Sequence, residues 1–177
     1  MAAGGSEIGD KPLRREVMGD FLVFFRDAHG KVVGARDACP HRGFPLSDGH
    51  LIGGQVQCRY HGIRFDGTGR CVGIPSNPRA AINEAMRLKV YPTVEKSVWI
   101  WVWMGDPALA DPNLIPDFNC QASEGYEHHF LAPFGPHLGN AQLIRENLCD
   151  GTHVTYLHAN LVDASDDATF LIPQKMK

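Results

Sequence analysis

Apolar and polar positions alternate in short bursts through the first hundred residues, and turn-forming residues separate the bursts. This is the pattern of antiparallel strands rather than of long helices. Phe21 to Phe25 is rich in β-branched and aromatic residues, Asp27 to Gly30 supplies a turn, and Val32 with Val33 begins a return strand. The run IRFDGTGRCVG repeats this hairpin logic, with Asp66-Gly67 and Gly69 expected to supply positive φ. LKVYPTVEKSVWIWVW then predicts two strands, the second setting Val98, Ile100 and Val102 against Trp99, Trp101 and Trp103. Apolar character on both faces predicts a strand buried on each side. Three tryptophans could also form a stacking platform, but no Lys or Arg is interleaved with them. A proline-studded linker, MGDPALADPNLIPDF, follows, and EGYEHHFLAPF predicts a further strand with His128 and His129 on opposite faces. Over 140–158 the period changes to that of a helix, with Leu143, Ile144, Leu148 and Cys149 on its apolar face.

The expected fold class is therefore α+β. A glycine-rich leader over 1–11 is expected to be disordered, an antiparallel β domain to cover 12–105, and a linker with the start of an α+β domain to cover 106–177. Composition narrows the function. Across 177 residues, 44% hydrophobic and 21% charged content is ordinary for a globular chain, and a net charge of -3 without a basic stripe argues against nucleic acid. The N-terminus lacks a signal-like apolar run and VWIWVWM is too short to span a bilayer, so a cytoplasmic protein with no membrane contact is expected.

The most informative stretch is CPHRGFPLSDGHLIGGQVQCRYHG, from Cys39 to Gly62. Cys39 and His41 form a C-x-H pair, and Cys58 and His61 form a C-x2-H pair. Two thiolates on one iron and two imidazoles on the other would hold a [2Fe-2S] cluster of raised potential. The same four side chains could hold tetrahedral zinc. Zinc fingers commonly group like ligands, whereas each loop here mixes one Cys and one His, which favours the cluster. Gly43, Gly62 and Pro40 are expected to let backbone amides approach the sulfurs. Arg42, Arg59 and Arg64 flank the loops, either as docking charges for an acidic partner or as solvated loop residues. His29 lies in a turn without a ligand partner at useful spacing. Cys71, Cys120 and Cys149 remain, an odd number that suggests free buried thiols rather than disulfides.

A second constellation is Asn147, Asp150, His153 and His158, spaced N-x2-D-x2-H-x4-H. Asp150 and His153 share one side of a helix. His158 would lie roughly 140° round from His153, so both reach one ion only if the helix is distorted or ends near Tyr156.

The two Cys-His loops resemble the Rieske domain of the non-haem iron oxygenases, and the wider chain is similar to their vanillate O-demethylase and dicamba monooxygenase group. Respiratory Rieske proteins carry one more cysteine per loop and link them as a disulfide; the equivalent positions here are Phe44 and Tyr60. The resemblance implies a [2Fe-2S] cluster on Cys39, His41, Cys58 and His61, and a mononuclear Fe(II) on His153, His158 and a carboxylate. It implies that Asp150 bridges the first iron histidine and a cluster histidine, here His61, of a neighbouring subunit, within a homotrimer. It also implies an NAD(P)H-dependent flavin reductase or a ferredoxin as electron donor, and O2 with an aromatic compound as substrates for hydroxylation or demethylation. Nothing marks Asp163, Asp166 or Asp167 as the third iron ligand. This chain alone is therefore expected to carry a working cluster without turnover. The rival reading is a Rieske ferredoxin-like electron carrier with a helical tail and no catalysis.

Overall fold

The computed structural model describes residues 1–116, 139–153 and 157. Cys120, His128, His129, His158, Asp163, Asp166 and Asp167 lie outside the described residues. The chain divides into two compact units, Met1–Phe130 and Leu131–Lys177.

In the first unit the described residues form three antiparallel sheets. One runs in the order β2 (Leu13–Val17), β3 (Asp20–Arg26), β4 (Val32–Arg36), β9 (Val90–Tyr91). A second consists of β5 (His50–Ile52), β6 (Gln55–Gln57), β7 (Arg64–Phe65) and β8 (Cys71–Gly73). The third places β11 (Trp99–Val102) between β1 (Ala3–Gly4) and β10 (Thr93–Lys96). The expected hairpins are present and share one turn design. Asp27 and Asp66 each accept backbone amides from two and four residues ahead, and Gly30 and Gly69 close the turns at φ 77° and 82°. Of the residues expected to take positive φ in the second turn, Gly69 alone does so, because the Asp66 carboxylate does the rest of the turning.

The strand buried on both faces is β3 rather than β11. Val23 and Phe25 enter a core with Val33, Leu46, Val56 and Phe65, while Leu22 and Phe24 enter a second with Ile8, Tyr91 and Ile100. All four of these β3 side chains are fully buried, each contributing about 1.5–3 kcal/mol of transfer free energy. Gly34 faces Phe24 across the ladder, and a Cβ there would lie 2.8 Å from the Phe24 ring, so glycine is what lets the ring cross β4. On β11 only Ile100 is fully buried; Trp99 and Trp101, and Trp103 just after the strand, are half-buried. Trp101 and Trp103 line a groove with Leu114 and Pro116, residues of the linker itself.

Two further expectations change. The predicted pair of strands over 88–103 is three, because Pro92 has no amide for a ladder and the chain changes sheet there: β9 pairs with β4 and β10 with β11. The opening residues are not a free leader. Ala3 and Gly4 pair with Ile100 and Trp99, and Ala3 and Ile8 are buried, so small and apolar side chains hidden among glycines dock the segment.

In the second unit, α1 spans Ala141–Cys149, capped by Asn140, whose side chain accepts the Gln142 amide at 2.8 Å. The fold class is α+β as expected, antiparallel sheets followed by a helix. Among the described residues no helix is long and apolar enough to cross a membrane.

Candidate metal centre

The two Cys-His loops are built on one frame. In the first, the Cys39 amide donates to the Phe44 carbonyl at 2.9 Å and the Gly43 amide to the Cys39 carbonyl at 2.8 Å. In the second, Cys58 donates to Ile63 at 2.8 Å and Gly62 to Cys58 at 2.9 Å. Gly43 and Gly62 take φ 68° and 72°, a conformation strained for other residues, so each loop turns back four residues after its cysteine. The frame aims both thiols inward. Cys39 and Cys58 are 3% and 1% exposed and belong to the same apolar core as Val23, Phe25 and Phe65.

The imidazoles take the outer position. His41 is exposed, His61 is half-buried, and their rings meet edge to face with centroids 4.7 Å apart. Burial pushes the Cys39 thiol up to about 11; the neighbouring Cys58 adds to the rise, while the amides of His41 and Arg42 oppose it. Those two amides are the donors aimed at this sulfur. A thiolate buried so deeply needs the positive charge of a metal beside it.

These residues fit a [2Fe-2S] group. Among the described residues no group of three or more Cys, His, Asp or Glu side chains is arranged to hold a single ion. The four side chains instead converge in pairs, thiol with thiol and ring with ring, which is the division a binuclear cluster makes between its irons.

Supports that motif spacing did not reveal hold both loops. The Asp37 side chain, fully buried, accepts the Ser47 amide at 2.8 Å and the Ser47 hydroxyl at 2.7 Å, closing the base of the first loop. Arg64 Nε donates to Gln57 Oε1 at 3.0 Å across the base of the second. Arg64 is thus a strut of the loop, while Arg42 and Arg59 are exposed at the tip. A polar Asp two residues before the metal-loop cysteine was the available signal for Asp37. Of the remaining thiols, Cys71 is buried and free as expected; Cys149 is free but exposed.

The second constellation is assembled differently. The α-helix ends at Cys149, earlier than Tyr156, and Asp150 is its C-cap. The Asp150 carboxylate accepts the Thr152 amide at 3.0 Å and the Thr152 hydroxyl at 2.5 Å, and these bonds hold it below the usual carboxylate range. His153 follows in a 3-10 turn with Nδ1 against the Asp150 carbonyl. Asp150 and His153 are therefore neighbours through a cap, not along one helical face.

Fold and site together define an iron-sulfur protein of the mixed Cys-His kind. The profile of the Rieske [2Fe-2S] domain matches residues 2–92, and that of the vanillate O-demethylase oxygenase C-terminal domain matches 139–176. The chain belongs to the Rieske [2Fe-2S] domain family. It is 41% identical over 158 residues to the oxygenase component of dicamba O-demethylase from Stenotrophomonas maltophilia, covering 89% of this chain and 46% of that protein. It is 35% identical over 167 residues to a vanillate O-demethylase oxygenase subunit from Pseudomonas sp., covering 92% and 44%. A crystal structure of dicamba monooxygenase bound to 3,6-dichlorosalicylic acid superposes with a TM-score of 0.77 at 40% identity, covering 89% of this chain and 46% of that one. Another, described as containing non-haem iron and dicamba, gives 0.66 at 45% identity, covering 70% and 37%. The chain spans about half the length of the curated relatives it matches.

Proposed function

We propose that this chain is the oxygenase component, or the N-terminal part of one, of a Rieske-type system that hydroxylates or demethylates an aromatic compound. The observation that carries this reading is the pairwise convergence of Cys39 with Cys58 and of His41 with His61 at the tip of the first unit. These four residues are the proposed ligands. When bound there, a [2Fe-2S] cluster supplies one-electron transfer. The protein buries the thiol side and leaves the imidazole side outward, so the exposed edge of the site is where an electron would enter or leave. Exposed Arg42 and Arg59 beside that edge suit an acidic donor, either a flavin reductase fed by NAD(P)H or a ferredoxin.

His153 and His158 are the proposed imidazole ligands of a mononuclear Fe(II), a metal whose 2-His-1-carboxylate sites keep open positions for O2. Asp150 is the proposed link between the two centres. As a carboxylate it is an anion at neutral pH, the form that can accept imidazole N–H groups on both sides. The cluster histidine it meets would be His61 of a neighbouring copy. A surface that contacts a different surface on the next copy forms a ring where its rotation closes, and a homotrimer is the proposed ring. The match of 139–176 to the oxygenase C-terminal domain weighs against a plain electron carrier.

Iron and sulfide analysis of the purified 177-residue chain tests the assignment. Two acid-labile sulfides per chain with a Rieske-type spectrum are expected, and iron above two per chain supports a mononuclear site as well. Stoichiometric zinc without labile sulfide rejects the reading.

A further inference from the structure

Three aromatic contacts cross the tip of the site. Phe44, the last residue of the first loop frame, meets Tyr60 of the second with ring centroids 5.7 Å apart, tilted by 41°. Tyr60 lies over His61 at 4.0 Å and 35°, and His61 in turn meets His41 at 4.7 Å. Tyr60 is 56% exposed, so burial does not fix its ring; the two ring contacts do. The backbone frame positions the cysteines, but it fixes no torsion of a histidine side chain. His61, one residue before Gly62 at φ 72°, has the Tyr60 ring tilted against it and the His41 ring edge-on to it.

We propose that Tyr60 is a positioning residue for the imidazole end of the cluster: clamped by Phe44 of the opposite loop, its ring sets the plane of His61 and ties the two loops together without a covalent link. The inference rests on the ligand reading above. It requires the ring and not the hydroxyl, because the contacts are between rings and, among the described residues, no hydrogen bond involves the hydroxyl. It also makes Phe44 and Tyr60 one unit, so that losing either undoes most of what losing both would undo.

The test uses the full chain loaded with its cluster. Iron release to a strong chelator is followed by visible absorbance, and the line width of the reduced cluster by electron paramagnetic resonance. Tyr60→Leu and Phe44→Leu keep bulk and remove a ring, and each is expected to release iron about three to ten times faster and to broaden the reduced signal. The double variant is expected to match the worse single one within about twofold. Tyr60→Phe is expected to retain the parental rate and line width, which a role for the hydroxyl would not allow. If Tyr60→Leu takes up no cluster while Tyr60→Phe does, the ring is likewise required. Tyr60→Leu behaving as the parent, or Tyr60→Phe behaving as Tyr60→Leu, overturns the proposal while leaving the ligand assignment standing. A parent chain that takes up no cluster overturns both.

Discussion

The two constellations proposed to bind iron are held in opposite ways. Cys39 and Cys58 sit at the edge of a core built from β3, β4, β6 and β7, and their loops are closed by bonds to Ser47, Phe44 and Ile63. Around Asp150 and His153 the bonds between described residues include local ones: Asn140 to Gln142, Asp150 to Thr152, His153 to Asp150. The helix that precedes them leaves Leu143 64% and Leu148 77% exposed. Ligands fixed by a core are preorganised, and their geometry survives small changes on the surface. Ligands fixed by caps take their final positions from whatever covers the helix.

The largest expected effect falls on the first region. Cys39→Ser or Cys58→Ser is expected to abolish the cluster, read as loss of labile sulfide and of the visible spectrum, whereas His153→Ala should leave both at parental levels. A cluster signal that falls with His153→Ala would end the separation between the two sites. Core and helix substitutions extend the contrast. Phe65 is fully buried beside both cysteines, so Phe65→Ala is expected to cost about 3–5 kcal/mol in denaturant unfolding. Leu148→Ala, at an exposed position, is expected to stay within about 0.5 kcal/mol. Comparable losses from the two would mean that the helix has a core partner.

A smaller effect tests the claim that the helix depends on its own caps. Asn140→Ala removes the acceptor for the Gln142 amide and is expected to cost about 1 kcal/mol, confined to the second unit. Hydrogen exchange should show faster amides in α1 and unchanged ones in β3. Protection lost equally in both would show one cooperative unit instead of two.

The same difference decides what the sequence could reveal. The proposed cluster ligands were legible as candidates because residue type and spacing are set by local loops, and the hairpins because Asp27-to-Gly30 and Asp66-to-Gly69 carry their turn chemistry in four residues. Long-range choices were not legible. FLVFF and WIWVW are equally apolar, and only the neighbouring sheets decide that β3 is covered on both faces while β11 is covered on one. The docking of Ala3 and Ile8 likewise needs partners on β11 and β3, far along the chain. The pairing of Asp37 with Ser47, ten residues on, likewise depends on how the loop folds back.

The smallest prediction compares a carboxylate in each unit. Glu95 and Asp150 are both held below their usual ranges, but the bonds that hold Asp150 come from Thr152, two residues on, while Glu95 is paired with Arg26, 69 residues away. Arg26 Nη1 and Nη2 reach the two Glu95 oxygens at 2.8 and 3.0 Å, and Nη2 also donates to the Gly5 carbonyl at 3.0 Å. The pair thus pins the opening strand against β3 and β10. A carboxylate with a depressed folded-state pKa stabilises above its unfolded value, here 4.5, and the contribution fades as pH falls through the folded value. Glu95→Gln is therefore expected to cost about 0.5–1 kcal/mol at pH 7, the modest sum for a pair about one-third exposed, and progressively less below about pH 4.5. Urea midpoints of parent and variant across that range check the pH dependence. Exchange of the Gly5 amide, which donates to the Val98 carbonyl at 2.8 Å, checks the location. A deficit that stays constant with pH would mean that packing of the Glu95 stem, rather than its charge, holds the first strand in place.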